Sequence, residues 1–252
     1  MALAHGTHVS STAVTTNATS YAFTASNAPT GAAGTLLIAT VVVTGGSGEE
    51  PPTVSGNGVT WSIVQSTLHG STIRFITYQA DGVGATSAAF TVSGWGTSRT
   101  GCGGKVNEMT GVNTATIGVG AGNSIVQVAS VASGTGTSGA SNALAAYSDG
   151  ANRPYAFTEH VANEATSIDT TPAGWVEIGA GNYNNPAQSF EIAWHPTSQE
   201  TDYTPTWTTS SAWRTTIMEL NGASGAVTGP PFPPRRPAAM VDHDRFSVTG
   251  WA

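Results

Sequence analysis

Two glutamates, Glu108 and Glu219, occupy matching places in two similar segments, "VNEMTGV" and "IMELNGA". Two carboxylates held at a suitable separation form the reaction centre of many glycoside hydrolases. Each glutamate also stands just before a Thr-Gly or Asn-Gly turn pair, where a carboxylate can accept hydrogen bonds from backbone donors. Because the whole segment is repeated, duplication explains the pair without catalysis. We therefore expect both to be structural, and we predict no catalytic residue and no enzyme.

Other candidate ligands are scattered along the chain. The six histidines are His5, His8, His69, His160, His195 and His243. Asp242, His243 and Asp244 are adjacent, but alternate residues of a strand face opposite sides, which makes joint metal ligation awkward. Cys102 has no histidine neighbour and is predicted to be an inert thiol. The sequence predicts no metal and no cofactor.

Aromatic residues suggest a second class of function, carbohydrate binding. Asn182, Tyr183 and Asn184 lie in "GNYNNPAQ", a mixture that can contact a glycan, so an adhesion module for host-surface glycans is the alternative. Most tryptophans stand at strand or loop-entry positions and are predicted to fill the core. These are Trp61, Trp175, Trp194, Trp207 and Trp213. Trp95 and Trp251 are not assigned to the core.

The composition limits the elements that can position these residues. Only 9% of residues are charged and 31 are glycine, which disfavours long amphipathic helices and favours sheets broken by turns. The net charge of −7 argues against nucleic-acid binding. The longest apolar run, "GTLLIATVVVTGG", is far shorter than the roughly 20 residues of a membrane span. "MALAHGTHVSST" has no signal-peptide pattern, so we expect synthesis in a cytoplasm and no membrane insertion.

The chain uses one pattern twice, over about residues 30–111 and 141–223. Four matches carry the repeat: Trp61 with Trp175, Tyr78 with Trp194, Phe90 with Trp207, and Glu108 with Glu219. "LLIATVVV" predicts a central strand covered on both faces, and Pro205 restricts its segment to an edge strand or a strand start.

We predict an all-β fold over residues 1–224, a two-sheet antiparallel sandwich of jelly-roll-like type with an internal pseudo-duplication. Two small sandwiches side by side are the alternative.

The order of these segments resembles a β-sandwich domain of structural proteins in tailed bacteriophages, found in minor tail and decoration-type proteins and also in actinobacterial surface proteins. The resemblance covers roughly residues 10–223 and rests on "TLLIA", "PAGW" and the "EMTG" and "ELNG" closings. The first half departs from it, with "GNGVTW" where the family often has "PAGW". The resemblance implies a non-enzymatic virion protein that decorates or reinforces the capsid or attaches to the tail.

Residues 225–252 form a proline-rich arm, which opens with "GPPFPPRRP" and favours an extended conformation. Its alternating end, "DRFSVTGWA", predicts a short strand that adds to the sheet edge of a neighbouring subunit. Docking on its own subunit stays open. The predicted docking residues are Phe232, Arg235, Arg236, Met240, Phe246, Val248 and Trp251. The expected partners are other virion proteins and further copies of the chain.

Overall fold

The computed structural model describes residues 1–45, 53–162, 171–184 and 186–223. Every regular element there is a strand, which confirms the all-β class, and no helix suited to crossing a membrane occurs among these residues. The strands are β1 (Ala4–Val14), β2 (Ser20–Ala22), β3 (Thr24–Ala25), β4 (Thr35–Thr44), β5 (Thr53–Ser55), β6 (Ser62–His69), β7 (Ile73–Asp81), β8 (Thr91–Ser93), β9 (Gly101–Thr110), β10 (Ile125–Val128), β11 (Ala132–Ser138), β12 (Arg153–His160), β13 (Val176–Asn184), β14 (Ala187–Trp194) and β15 (Thr206–Leu220).

These strands form two large antiparallel sheets and one small sheet. The first sheet has the order β3-β1-β9-β4-β7-β6, and the second has the order β10-β15-β12-β14-β13, with β11 also paired to β15. The small sheet, β2-β8-β5, covers the outer face of the first sheet. The predicted sandwich is confirmed. The third sheet was not predicted, because its strands have only three residues each and leave little alternation to detect.

Strand β4 lies at the centre of the first sheet, between β9 and β7, and all of its residues are buried. Leu36 and Ile38 enter the core between the two large sheets, whereas Leu37 and Val41 enter the core beneath the small sheet. The continuously apolar sequence thus matches a strand covered on both faces, as predicted. Strand β15 begins directly after Pro205, which also agrees with the prediction.

The core between the large sheets contains side chains from both halves of the chain. At its centre Phe75 of β7 stacks on Phe157 of β12, with ring centroids 4.2 Å apart and an interplanar angle of 14°. Phe190 packs against Phe157 edge-on. Complete burial of such a side chain contributes about 1.5–3 kcal/mol. The two halves are therefore the two faces of one sandwich.

The two large sheets share one strand order, in which β9, β4, β7 and β6 correspond to β15, β12, β14 and β13. Glu108 pairs with Leu37 of β4, and Glu219 pairs with Pro154 at the corresponding position of β12. Strand β1 corresponds to β10 and β11, which pair with β15 as β1 pairs with β9.

The match of Tyr78 with Trp194 is wrong by one residue. In the second half, Trp194 of β14 pairs with Tyr155 of β12. The residue of β4 that corresponds to Tyr155 is Ile38, and Ile38 pairs with Gln79 of β7. Gln79 is therefore the counterpart of Trp194. Counting along the sequence missed this shift because the loops between equivalent strands differ in length.

The match of Phe90 with Trp207 is also corrected. Phe90 packs edge-on against Trp61, the residue before β6, at 4.9 Å between ring centroids. In the second half Trp175, the residue before β13, packs against Tyr203 at 4.6 Å. Tyr203 therefore takes the structural place of Phe90, because each ring covers the tryptophan that precedes an edge strand.

Candidate functional site

Glu108 is fully buried and fixes an N-terminal loop to β9. Its Oε1 accepts hydrogen bonds from the backbone nitrogen of Thr30 at 2.7 Å and from the Thr30 hydroxyl at 2.6 Å. Its Oε2 lies beside Gly6 and has no hydrogen-bond partner among the described residues. The carboxylate thus meets a backbone donor, as the structural interpretation expects.

Glu219 is also fully buried and organises the turn that closes the second half. Its oxygens accept hydrogen bonds of 2.5 Å from Asn152 Nδ2 and from Gln127 Nε2. Asn152 Oδ1 in turn accepts a hydrogen bond from the backbone nitrogen of Gly222 at 3.0 Å. Both oxygens are therefore occupied by contacts that hold the fold.

The two glutamates face away from each other. Asn107 and Met109 on either side of Glu108 face the space between the large sheets, as Met218 and Leu220 do beside Glu219. Because neighbouring residues of a strand face opposite sides, each glutamate faces outward from its own sheet. Stacked sheets lie about 10 Å apart, so these carboxylates cannot flank one glycosidic bond at about 5–10 Å.

The hairpin that was predicted to contact glycans presents no aromatic face among its described residues. Tyr183 is only 5% exposed, and its ring lies so close to Gly103 that an added Cβ there would be 2.8 Å from it. Burial raises the pKa of the Tyr183 hydroxyl well above its ordinary value. Asn182 is half-buried and Asn184 is exposed. The expectation for Tyr183 is corrected, because a ring in the interior cannot stack on a sugar.

Trp95 belongs to the core, although the sequence did not assign it there. It is 6% exposed, meets Tyr21 edge-on at 6.0 Å between ring centroids, and lies 5.5 Å from the Arg99 guanidinium carbon. Cys102 is buried without a disulfide partner among the described residues, and burial raises the pKa of its thiol. A neutral interior thiol agrees with the predicted inert role.

One histidine joins the two large sheets. His69 at the end of β6 contacts the Glu159 carboxylate of β12 through Nδ1, and Gln188 of β14 donates to the same carboxylate. All three residues are buried. A carboxyl group in the interior requires such hydrogen-bond partners, so this group stabilises the packing of one sheet on the other.

A second polar group lies where β1 and β9 face β13. Several of its buried atoms have no hydrogen bond of normal geometry among the described residues, although the Asn107 amide lies close enough to influence His5, His8 and Tyr155. We call it the inter-sheet polar cluster, and it consists of His5, His8, Asn107 and Tyr155. The unpartnered buried atoms are His5 Nε2, His8 Nδ1, Asn107 Oδ1 and Nδ2, and the Tyr155 hydroxyl. Asn107 and Tyr155 are fully buried.

The two imidazoles of this cluster favour the neutral form. Burial lowers the pKa of His5, although the Asn107 amide and Glu108 act in the opposite direction. Burial and the nearby Lys105 lower the pKa of His8. Sequence reasoning considered these histidines but missed Asn107 and Tyr155. A position-by-position comparison of the two halves would have indicated Asn107, which aligns with Met218.

The predicted docking arm lies outside the described residues. This applies to Phe232, Arg235, Arg236, Met240, Phe246, Val248 and Trp251, and to the Asp242–Asp244 group. Within the described ranges, no three His, Cys, Asp or Glu side chains are grouped as metal ligands. Comparison with protein-family models, with curated proteins and with solved structures found no match to this chain.

Proposed function

We propose that the protein is a non-enzymatic structural component of a tailed-phage particle, which decorates or reinforces the capsid or attaches to the tail. Its β-sandwich body receives the C-terminal arm of a neighbouring subunit at the free edge of β6. The proposal rests on the sequence resemblance, on the apolar anchors of the arm, and on the character of this edge.

The proposal depends mainly on the unpaired edge of strand β6. Within the described part of the chain this strand ends the first sheet and pairs only with β7. Its eight residues, "SIVQSTLH", include no Asp, Glu, Lys, Arg or proline. Among the described residues no backbone hydrogen bond reaches it from any other strand or loop. Proteins usually protect long edge strands with charges, prolines, β-bulges or covering segments, and of these β6 shows only a register shift between Ile63 and Gln65. An edge of this kind can accept an added strand through its backbone groups.

The equivalent edge of the second sheet is different. Strand β13 carries Glu177 and two glycines, Gly179 and Gly181, which make it a poorer template for pairing. The two edges are otherwise alike, because Ile63 and Val176 near their starts are 46% and 45% exposed. This likeness makes β13 an internal control for β6.

A cleft of about 490 Å³ opens beside the start of β6. Its lining includes Val59, Ser62, Val83 and Ile117, and Val83 is 53% exposed. An apolar side chain from an added segment gains about 1.5–3 kcal/mol when it leaves water for such a site. The cleft therefore suits one of the apolar anchors that the arm carries.

Charge also favours this association. Three of the eight basic residues, Arg235, Arg236 and Arg245, lie in the arm, so the remainder of the chain is more acidic than the net charge of −7 implies. The arm also contains Asp242 and Asp244, so three arginines and two aspartates give it a net charge of +1, against −8 for the rest of the chain. These opposite charges attract each other weakly and speed association at low salt.

The test compares the full-length chain with a truncation after Ser224, by light scattering and by binding to purified phage particles. We expect the truncated body to stay folded but to lose self-association and particle binding. In the full-length chain Ile63→Lys should weaken both properties, whereas Val176→Lys should leave them unchanged. Unaltered assembly of the truncated chain would contradict the proposal.

A further inference from the structure

The inter-sheet polar cluster depends on an irregularity in β1. His5 pairs with Met109 and His8 pairs with Asn107, so three steps along β1 correspond to two steps along β9. Residues three apart in a regular strand face opposite sides of the sheet. The extra residue reverses this relation and brings both imidazoles to the face that carries Asn107 and Met109.

The second half of the molecule contains the same irregularity with different side chains. Ile125 pairs with Leu220 and Val128 pairs with Met218, again three steps against two. Ile125, Val128 and Met218 are therefore the counterparts of His5, His8 and Asn107. Ile38 is the counterpart of Tyr155, because Ile38 pairs with Asn107 and Tyr155 pairs with Met218.

Every polar member of the cluster thus has an apolar counterpart. Ile38, Ile125 and Met218 are fully buried in the core between the large sheets, and Val128 packs against that core. The fold does not require polar side chains at these positions, because the other half of the molecule has an apolar residue at each of them: Ile125, Val128 and Met218 in the second half, and Ile38 in the first. Buried polar atoms without partners are unfavourable, so their presence in the first half indicates a ligand.

The available donors suit a transition-metal ion. Imidazole nitrogens and an amide oxygen are ligands for divalent ions of the zinc and copper type. Metal binding requires neutral imidazoles, so affinity for such an ion falls as the pH is lowered. The charged groups that act on the two imidazoles are Lys105, which opposes a cation beside His8, and Glu108, which favours one beside His5. Glu177 in turn interacts with Lys105 and offsets its charge.

We propose that His5 Nε2, His8 Nδ1 and Asn107 Oδ1 bind a divalent transition-metal ion between β1 and β9, on the side that faces β13. Lys105 beside this site interacts electrostatically with Glu177. Lys105 and Asn107 both lie against Gly179, where an added Cβ would be 2.7 Å from Lys105 Cδ and 3.6 Å from Asn107 Nδ2.

The test is calorimetric titration of the full-length chain with Zn²⁺ at pH 7.5. Each cluster residue of the first half is replaced by its counterpart from the second half, which the fold already accommodates at that position. The three variants are His5→Ile, His8→Val and Asn107→Met. We expect one site per chain, at least a 100-fold loss of affinity in each histidine variant, and at least a tenfold loss in Asn107→Met.

His243→Ala is the matched control, because Asp242, His243 and Asp244 are the competing candidate ligands in the arm. This variant should bind Zn²⁺ with unchanged affinity, and circular dichroism should show that all variants are folded. The proposal is overturned if Zn²⁺ shows no saturable binding, if binding survives in His5→Ile and His8→Val, or if binding disappears in His243→Ala. The cluster would then hold water only.

Discussion

Asn107 and Met218 occupy the same position in the two halves of the sandwich, and both face the space between the large sheets. Met218 is a member of the apolar core, whereas Asn107 is fully buried and its amide makes no hydrogen bond of normal geometry with the described residues. The two halves can therefore be compared directly. Met218 shows that the fold accepts an apolar side chain at this position, so the polar side chain of Asn107 is not required by the fold.

The first prediction concerns the stability cost of the inter-sheet polar cluster. In the presence of EDTA, the triple variant His5→Ile, His8→Val, Asn107→Met should be more stable to urea than the natural sequence. The gain should be at least about 1 kcal/mol, because a buried polar group without a partner costs about 1–3 kcal/mol. A triple variant that is less stable than the natural chain would show that the polar atoms contribute to the fold.

The second prediction concerns Glu191, which is fully buried on the outer face of the second sheet and accepts a hydrogen bond from the Tyr203 hydroxyl. Burial raises the pKa of this carboxyl from 4.5 to about 8. Between these values the folded state keeps a proton that the unfolded state releases. The free energy of unfolding should therefore fall as pH rises through this range, by up to about 1.4 kcal/mol per pH unit.

Glu191→Gln should remove this pH dependence and be more stable than the natural chain at pH 8, because its amide oxygen still accepts from Tyr203. Urea unfolding at several pH values measures the effect. Glu177→Gln is the control, since Glu177 is exposed, and it should retain most of the slope. Equal slopes in the natural chain and in Glu191→Gln would contradict the assignment.

The sequence predicted the parts of the fold that depend on strong local patterns. The apolar run of β4 and the restriction imposed by Pro205 were sufficient to place a central strand and the start of β15. The partner of Trp175 was not predictable in the same way. The ring that covers Trp175 belongs to Tyr203, which lies in the loop between β14 and β15. Hydrophobic periodicity within strands does not predict a contact made by a loop residue.

The candidate site was harder to predict, because it depends on register. The sequence shows His5 and His8 three residues apart, which in a regular strand would place them on opposite faces. Only the pairing of β1 with β9 reveals the extra residue that brings them together. In the same way, the residues around Tyr183 have the composition of a surface loop. The packing of the two sheets nevertheless places the Tyr183 ring against Gly103.

The third prediction concerns Glu108. Glu108→Ala should destabilise the protein by about 2–4 kcal/mol, because it leaves the Thr30 backbone donor unpaired and opens a cavity beside Gly6. Urea denaturation measures this loss, with Glu200→Ala at a half-buried position as the control. A stable Glu108→Ala chain that has lost an activity on polysaccharides would instead support the glycosidase reading of this residue.

The fourth prediction tests the interior placement of Tyr183. A methyl group added at Gly103 would lie 2.8 Å from the rings of both Tyr183 and Phe190, so Gly103→Ala should cost about 1–3 kcal/mol. Gly96→Ala is the control, since no atom lies within 4 Å of a Cβ added there, and it should change stability by less than about 0.5 kcal/mol. If both variants were equally stable, the Tyr183 ring would not occupy the interior and could again contact a glycan.

The central claim is that β6 receives the arm, and hydrogen–deuterium exchange in the assembled protein tests it most directly. Backbone amides of Ser62–His69 should exchange at least tenfold more slowly in the full-length assembly than in the chain truncated after Ser224. Amides of the equivalent edge strand β13 should exchange at the same rate in both. Equal exchange of β6 in the two chains, or slowing confined to β13, would contradict the account.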